Sequence, residues 1–237
     1  MKSTQILLFI FLSGLIATAR ADKNDTFYVQ AHGRFYIEAV RYLNQGLKLS
    51  QKGDKQGARS CFDAAIRIDK SIWPAYLDRA EILLGNGQFN LALQDCNTAS
   101  RLRPDFYRTF VLRASIYRRL GQCREALVDV NRIFSFHGYS EIDAMALNQR
   151  ALLRATCRDA EIHDPKLALA DAQQACSKDG WNKAIYMGTL ALAYAENGDF
   201  ANAISYQQRA IDTGRYSDEE LRNARQRLSR YQQHQRS

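Results

Sequence analysis

The sequence has few residues that interrupt regular secondary structure. Glycine occurs 13 times and proline three times in 237 residues, well below the roughly 12% that these two residues make up in average proteins. An all-β protein with many tight turns needs more of both, so the composition favours a helical fold. Hydrophobic residues make up 46% and charged residues 24%, which excludes a collagen, a disordered chain and a multi-span membrane protein.

The sequence also lacks the motifs of common catalytic and metal-binding sites. It contains no HExxH, GxSxG, P-loop, GxGxxG or CxxC pattern, and none of its four histidines lies at helical ligand spacing from another. Cys157, His163 and Asp164 are a local group of reactive residue types, but a Cys–His nucleophile would need a third, orienting group. We therefore predict that the protein is not an enzyme and has no catalytic residue, cofactor or metal.

The first residues have the three-part pattern of a secretory signal peptide. Lys2 gives a basic start, residues 6–16 form an apolar run, and Ala19-Arg20-Ala21 places small residues before a cleavage point. The run is too short for a membrane span of about 20 residues, although an uncleaved anchor is the alternative. We predict that residues 1–21 are the signal peptide of a periplasmic or secreted protein, with no stable membrane insertion after cleavage.

Export changes the meaning of the positive charge. Without Lys2 and Arg20, the formal net charge falls from +8 to +6. A basic cytosolic protein would suggest nucleic acid as a partner. An exported protein instead meets anionic lipid head groups, envelope polymers and acidic protein patches. We therefore do not expect nucleic acid as a partner, and an excess of positive charge that serves only solubility is the other interpretation.

Five cysteines, an odd number, indicate at least one thiol that is free or paired between chains. Cys61, Cys96 and Cys176 fall within helical apolar patterns and are predicted to be buried free thiols. A disulfide between Cys157 and Cys176 is not expected. An antiparallel helix pair would hold them more than about 13 Å apart, whereas a disulfide needs Cα atoms within about 7 Å. The bridge could form only if the inserted turn folds back.

A repeated sequence pattern runs along most of the chain. A small residue stands at positions 46, 80, 114, 151 and 191, and a second follows at 58, 92, 126, 168 and 203. The apolar residues on both sides have helical periodicity, so each repeat is predicted to be two helices joined by a turn. A glycine in the turn supplies the left-handed cap of the first helix. These glycines are Gly53, Gly87, Gly121 and Gly198.

These units resemble the tetratricopeptide repeat, a helix–turn–helix of 34 residues. Tyr117 and Tyr194 match its aromatic residue late in the first helix, and Phe62 matches the large residue of the second. The resemblance covers about residues 39–214 and implies an all-α solenoid of about five repeats. The inserted turn around Cys157 and the Gly180-Trp181 link resemble a variant of bacterial proteins, which favours a bacterial origin.

The resemblance also sets the expected boundaries. Residues 22–38 are predicted to be an N-terminal cap segment that packs on the first repeat. Residues 215–237 are predicted to be a capping helix, because acidic residues follow Ser217 and a narrow apolar stripe follows them. The repeats are predicted at residues 39–72, 73–106, 107–143, 144–183 and 184–214.

Two positions, one in each helix of a repeat, vary together within this sequence. They carry opposite charges in the three middle repeats and apolar residues in the last, where they are Leu190 and Tyr206. We interpret the charged residues as structural, partly buried ion pairs, because an unpaired charge at such a position would be costly. The three predicted pairs are Arg79 with Asp95, Arg113 with Asp129, and Arg150 with Asp171.

The resemblance implies that exposed positions of the first helices line a concave groove that binds a partner peptide. Some proteins of this type hold a peptide's terminal carboxylate with a clamp of basic and amide residues. Among the matching positions here only Arg108 fits, so that clamp is not expected. The predicted partner-binding residues are Leu43, Leu47, Leu77, Glu81, Arg108, Val111, Ser115, Arg118, Asn148, Leu152, Gly188 and Leu192.

The centre of this predicted groove is basic, because residues 101–132 contain eight arginines and three acidic residues. We predict an exported interaction module or scaffold that binds a protein or peptide segment, acidic and partly apolar. The alternative is a binder of an anionic envelope polymer or lipid head group through the arginine-rich third repeat.

Overall fold

The computed structural model describes residues 23–136 and 140–236, together with two short strands near the N-terminus. The strands, β1 (Phe11–Leu12) and β2 (Leu15–Ile16), pair in antiparallel orientation. The rest of the predicted signal peptide lies outside the described residues. The helices along the described chain are α1 (Lys23–Gln51), α2 (Lys55–Ile68), α3 (Trp73–Gly85), α4 (Phe89–Leu102), α5 (Tyr107–Arg119), α6 (Cys123–Phe134), α7 (Ser140–Thr156), α8 (Pro165–Lys178), α9 (Ala184–Glu196), α10 (Phe200–Asp212) and α11 (Asp218–Arg236).

The chain divides into two compact units, Met1–Asp105 and Phe106–Ser237, called unit 1 and unit 2 below. In unit 1, the helices pair as the hairpins α1–α2 and α3–α4. In unit 2, they pair as α5–α6, α7–α8 and α9–α10, and α11 packs on α10. The prediction of an all-α fold with repeated hairpins and a C-terminal capping helix is confirmed.

The turn glycines adopt the backbone conformation that the repeat pattern predicts. Gly53, Gly87, Gly121 and Gly198 have φ values of 82°, 72°, 74° and 79°. This left-handed region is accessible to glycine at little cost and is unfavourable for residues with a Cβ atom. Each glycine therefore ends the first helix and lets the chain reverse into the second.

Small residues let the paired helices approach closely. In unit 1, a Cβ atom on Gly46 would lie 2.5 Å from the Cε1 atom of Phe62, so only glycine fits against this ring. Phe62 is fully buried and belongs to the apolar core of the first hairpin. In unit 2, the equivalent small residues Ala114, Ala151 and Ala191 are buried at 2%, 0% and 0% exposure.

The structure corrects two predicted boundaries. The N-terminal cap segment is not a separate element, because α1 runs without interruption from Lys23 to Gln51 and no glycine or proline turn divides it. Tyr36 in this segment packs against the apolar core of the first hairpin, as the prediction of a packed segment expects, whereas Phe35 is 68% exposed. The fourth hairpin begins at Ser140, four residues before the predicted start at 144.

The three predicted ion pairs are confirmed. The guanidinium of Arg79 donates from Nε and Nη2 to both carboxylate oxygens of Asp95, at 2.7 Å each. Arg113 binds Asp129 in the same two-point geometry, at 2.8 and 2.7 Å. The pairs are partly buried, since the Asp129 side chain is 3% exposed and that of Arg113 is 18% exposed.

The fourth hairpin keeps its ion pair although its turn is longer. Arg150 binds Asp171 at 2.8 and 2.7 Å across 21 residues, where the other two pairs span 16. The extra residues lie in the turn 157–164, so the two helices keep their register. Arg154, one helical turn after Arg150, donates to the same carboxylate.

A disulfide joins Cys123 to Cys157, with their Cα atoms 6.1 Å apart. Cys123 begins α6 and Cys157 follows the last residue of α7, so the bond links the turns of two successive hairpins. The expectation that Cys157 does not pair with Cys176 is confirmed, although its actual partner was not predicted. Arg124 adds ion pairs to Asp159 at 3.0 Å and Glu161 at 2.6 Å, which hold the longer turn against α6.

The other three cysteines are free and buried, as predicted. Burial raises the pKa of the Cys176 thiol to about 12, and the nearby Asp179 acts in the same direction. Burial also raises the pKa of Cys61, with a smaller contribution from Asp54. Thiols that stay protonated and enclosed are poor nucleophiles, so we assign these residues to packing.

Candidate functional site

The first helices of successive hairpins lie side by side within each unit. In unit 1, α1 contacts α3, and in unit 2, α7 contacts both α5 and α9. The predicted site residues lie on these helices at positions spaced by three, four or seven residues, which places them on one side of each helix. We call this surface the first-helix face of each unit.

Eight of the twelve predicted site residues keep some solvent exposure. Glu81 is exposed, and the other seven are half-buried. In unit 2, most of these positions lie on α5, where they follow the spacing of one helix face. The seven half-buried residues are Leu47, Arg108, Val111, Ser115, Arg118, Leu152 and Leu192.

The other four predicted site residues are buried, which corrects the expectation that they are exposed. Leu43, Leu77 and Asn148 are 5%, 1% and 3% exposed, and Gly188 is also buried. Helical periodicity fixes which side of a helix a residue faces, but not how deeply the neighbouring helix covers it. These residues pack beneath the first-helix face and are not accessible to a partner.

In unit 1, Leu47 and Glu81 line a pocket of about 330 Å³ between the ends of α1 and α3. Its floor is apolar and includes Phe62 and Ile82, and its rim carries charged groups that include Lys55. The pocket therefore offers an apolar depression with charges of both signs at its edge.

In unit 2, Ser115 connects α5 to α7. Its hydroxyl donates to the carbonyl oxygen of Val111 at 3.1 Å, and the Gln149 side chain on α7 donates to Ser115 Oγ at 3.1 Å. This contact fixes the two helices relative to each other at the middle of the first-helix face. Asn148, beside Gln149, has a buried Oδ1 atom with no hydrogen-bond partner among the described residues.

Arg118 lies one helical turn after Ser115 on the same side of α5. Its Nε atom is enclosed and, within the part of the chain that the structure describes, has no hydrogen-bond acceptor. Burial, together with the adjacent charge of Arg119, lowers the pKa of Arg118 to about 10. The side chain therefore remains charged at neutral pH, in a place where its charge is poorly solvated.

The C-terminal part of unit 2 covers the end of the first-helix face on α9. The hydroxyl of Tyr216 donates to the carbonyl oxygen of Ala184 at 2.9 Å. A Cβ atom on Gly188 would lie 2.8 Å from this hydroxyl, and Arg227 approaches the same position. Tyr216 of the same chain therefore covers Gly188, so Gly188 is not accessible to a partner.

Sequence reasoning missed Ile185, which is 50% exposed at the start of α9. It precedes Gly188 by three residues and Leu192 by seven, so the spacing already placed it on the same side of the helix. Ile185 and Tyr216 line a second pocket of about 210 Å³, whose polar residues include Lys183 and Arg215.

The arginine-rich stretch is less cationic at its surface than its sequence predicts. At least three of its arginines form ion pairs with carboxylates, since Arg103 binds Asp105 at 2.7 Å, Arg113 binds Asp129, and Arg124 binds the turn 157–164. The helix α5 itself contains no acidic residue, so the charges of its arginines are not offset within the helix.

Two observations bear on other kinds of site. Within the described residues, no group of three or more histidine, cysteine, aspartate or glutamate side chains could hold a metal ion. No helix in residues 23–136 or 140–236 is long and apolar enough to cross a membrane.

The sequence profile of the tetratricopeptide repeat matches residues 39–72 and 184–213. A curated relative, a STIP1 homolog of Dictyostelium discoideum, is 32% identical over 89 residues, which are 38% of this chain and 16% of that protein. The chain thus spans a small part of this relative's length.

Three solved structures illustrate the likeness in fold. The Cut9–Hcn1 complex matches with a TM-score of 0.68 and 18% identity, over 90% of this chain and 39% of that one. A tetratricopeptide repeat protein of Thermus thermophilus matches with a TM-score of 0.64 and 19% identity, over 84% and 100%. YrrB, described as having an unusual peptide-binding site, matches with a TM-score of 0.52 and 19% identity, over 85% and 97%.

The repeat spacing, the hairpins, the turn glycines and the sequence match agree with one another. The chain contains two stretches that match the tetratricopeptide repeat, and its fold is that of tetratricopeptide repeat structures.

Proposed function

We propose that the protein is an exported interaction module, of bacterial type, that binds a segment of a partner protein on the first-helix face of unit 2. Proteins with this repeat generally mediate protein–protein interactions. The observation that carries the proposal is the composition of this face, which combines apolar side chains with two arginines on a helix that has no acidic residue. The partner segment is therefore expected to be acidic and partly apolar.

The acidic residues of the neighbouring helix are paired with lysines. Glu141 and Asp143 lie in the first turn of α7, where they form ion pairs with Lys183 at 3.0 Å and Lys178 at 3.2 Å. A face of positive potential with apolar contacts selects partners by charge complementarity and holds them by burial of apolar surface. The fold similarity to YrrB gives a precedent for peptide binding on this architecture.

Replacing both Arg108 and Arg118 with glutamate should abolish partner retention in affinity capture from an envelope extract. Reversing two charges at the face is expected to weaken binding more than about tenfold, because like charges then meet. Capture at about 0.15 M and about 1 M salt separates apolar retention from screened attraction, since the Debye length falls from about 8 to 3 Å.

The control is the pair of changes Arg222→Glu and Arg225→Glu, which alter net charge equally on the exposed side of α11. A partner retained by the α11 variant and lost by the α5 variant supports the proposal. Arg108→Glu alone provides a second test if the double variant unfolds. Equal retention by all variants would contradict the assignment of the partner to α5.

Export is the second part of the proposal. It is supported by the signal-like pattern at residues 1–21 and by the Cys123–Cys157 disulfide, because disulfides persist in oxidising compartments. The expected result is a mature protein that begins at Asp22, measured by N-terminal sequencing of protein purified from the envelope or medium. Recovery of a chain that retains residues 1–21 in the cytosolic fraction would contradict export.

A further inference from the structure

Arg118 is an exception among the partly buried arginines of the hairpins. The comparable arginines donate to carboxylates of their own chain, and these are Arg79, Arg113, Arg150 and Arg154. For Arg118 the described residues supply neither a hydrogen-bond acceptor for its enclosed Nε atom nor an ion-pair partner. A charge with little access to water and no counter-charge is costly, so its place in the fold needs an explanation.

The surroundings of Arg118 do not favour its positive charge. The residue beside it is Arg119, whose charge acts against its own. The nearest residues on the same side of α5 are Ser115 and Val111, which are neutral, and the whole helix contains no acidic residue. An uncharged side chain of similar length would therefore pack at this position as well as the arginine does.

The outer edge of the guanidinium differs from its enclosed side. Of its three nitrogens, only Nε is both enclosed and without a hydrogen-bond partner among the described residues. The side chain as a whole is half-buried, so part of it reaches the protein surface. An arginine presents its Nη and Nε donors in a planar fork that matches the two oxygens of a carboxylate. A group that arrives at this edge would meet a donor whose charge is only weakly screened by water.

We propose that Arg118 is the binding site for a carboxylate side chain of the partner segment, the counter-charge that the chain itself does not supply. This inference rests on the proposed function and specifies the chemistry of the partner at one position. Val111 and Leu152 flank the face on α5 and α7, so the residues next to the carboxylate are expected to be apolar. An aspartate or glutamate between leucine-like residues fits this description.

If Arg118 serves binding rather than folding, its charge should lower the stability of the free protein, whereas a purely structural arginine would raise it. Replacing Arg118 with methionine keeps the length of the side chain and removes the unpaired charge. The variant should therefore be more stable than the wild type, with a Tm raised by about 2–5 °C. The control, Arg119→Met, removes one charge from an exposed position and should leave the Tm almost unchanged.

Binding is tested with short peptides and NMR of the 15N-labelled protein. The Nε–H signal of Arg118, assigned by its absence in Arg118→Lys, is followed during titration with the peptide Ac-Ala-Leu-Glu-Leu-Ala-NH2 and its glutamine analogue. The expected result is a saturable shift with the glutamate peptide, none with the glutamine peptide, and no shift of the Arg119 signal.

The outcomes separate this inference from the proposed function. If the glutamate peptide or a captured partner binds while the Arg118 signal does not move, the carboxylate site is wrong and the interaction module stands. If the Arg118 signal moves and no protein partner is retained in capture, the carboxylate site stands and the module proposal is wrong. A shift with a polyuronate oligosaccharide and none with the peptide, or a lower Tm for Arg118→Met, would overturn the inference.

Discussion

Replacing Asp129 with leucine is expected to lower the free energy of unfolding by about 3 kcal/mol, among the largest effects of any single change in the chain. Removing one member of a buried ion pair typically costs about 3–5 kcal/mol, because the other charge loses its compensation. The lower end applies here, since the Arg113 side chain is 18% exposed and also lies 5.4 Å over the Phe110 ring. Urea unfolding followed by circular dichroism measures the change.

The matched control removes both charges. Arg113→Leu combined with Asp129→Leu should restore stability to within about 1 kcal/mol of the wild type, because a buried pair adds little net stability over an apolar one. The chain itself uses this solution in its last hairpin, where Leu190 and Tyr206 belong to one apolar core. A single variant as stable as the wild type, or a double variant no better than the single, would contradict this account.

Removing the Cys123–Cys157 disulfide is expected to cost about 3–4 kcal/mol, the entropy of closing a loop of 34 residues in the unfolded chain. The double variant Cys123→Ser, Cys157→Ser should lose about 10 °C in Tm. The loss arises in unit 2, where the bond holds the longer turn of the fourth hairpin against α6.

Reductant provides the control for this second change. Dithiothreitol should lower the Tm of the wild type to that of the double variant and leave the double variant unaffected, because the other three cysteines are free. Equal stability of the oxidised and reduced wild type would show that the bond constrains little. A further loss in the reduced variant would mean that other thiols contribute.

The features that could be predicted from the sequence are those fixed within one hairpin. The turn glycines and the ion pairs depend on spacing along two adjacent helices. Arg79 and Asp95, for example, face each other because 16 residues separate them across one turn. The same periodicity predicted the pair Arg150–Asp171 despite the longer turn, because both helices kept their own patterns.

The features that could not be predicted depend on how neighbouring hairpins approach each other. The Cys123–Cys157 bond joins the turns of two hairpins, and no pattern within either one indicates it. Asn148 has the spacing of an exposed residue but lies deep beside adjacent helices. Gly188 has the spacing of a surface position, yet Tyr216 arrives there from a segment 28 residues later. The missing hydrogen-bond acceptor of Arg118 Nε becomes apparent only when the positions of all acceptors among the described residues are known.

The covalent link between Cys123 and Cys157 also limits how far the protein can be stretched. When a repeat protein is pulled from its ends, each unfolded residue adds up to about 3.3–3.6 Å of chain. The 34 residues spanned by the bond cannot contribute while it is intact, which withholds about 110–120 Å of extension. Under tension, unit 2 would therefore extend in two stages. Force alone unfolds the residues outside the disulfide-closed loop, and the loop itself extends only where the surroundings reduce the disulfide.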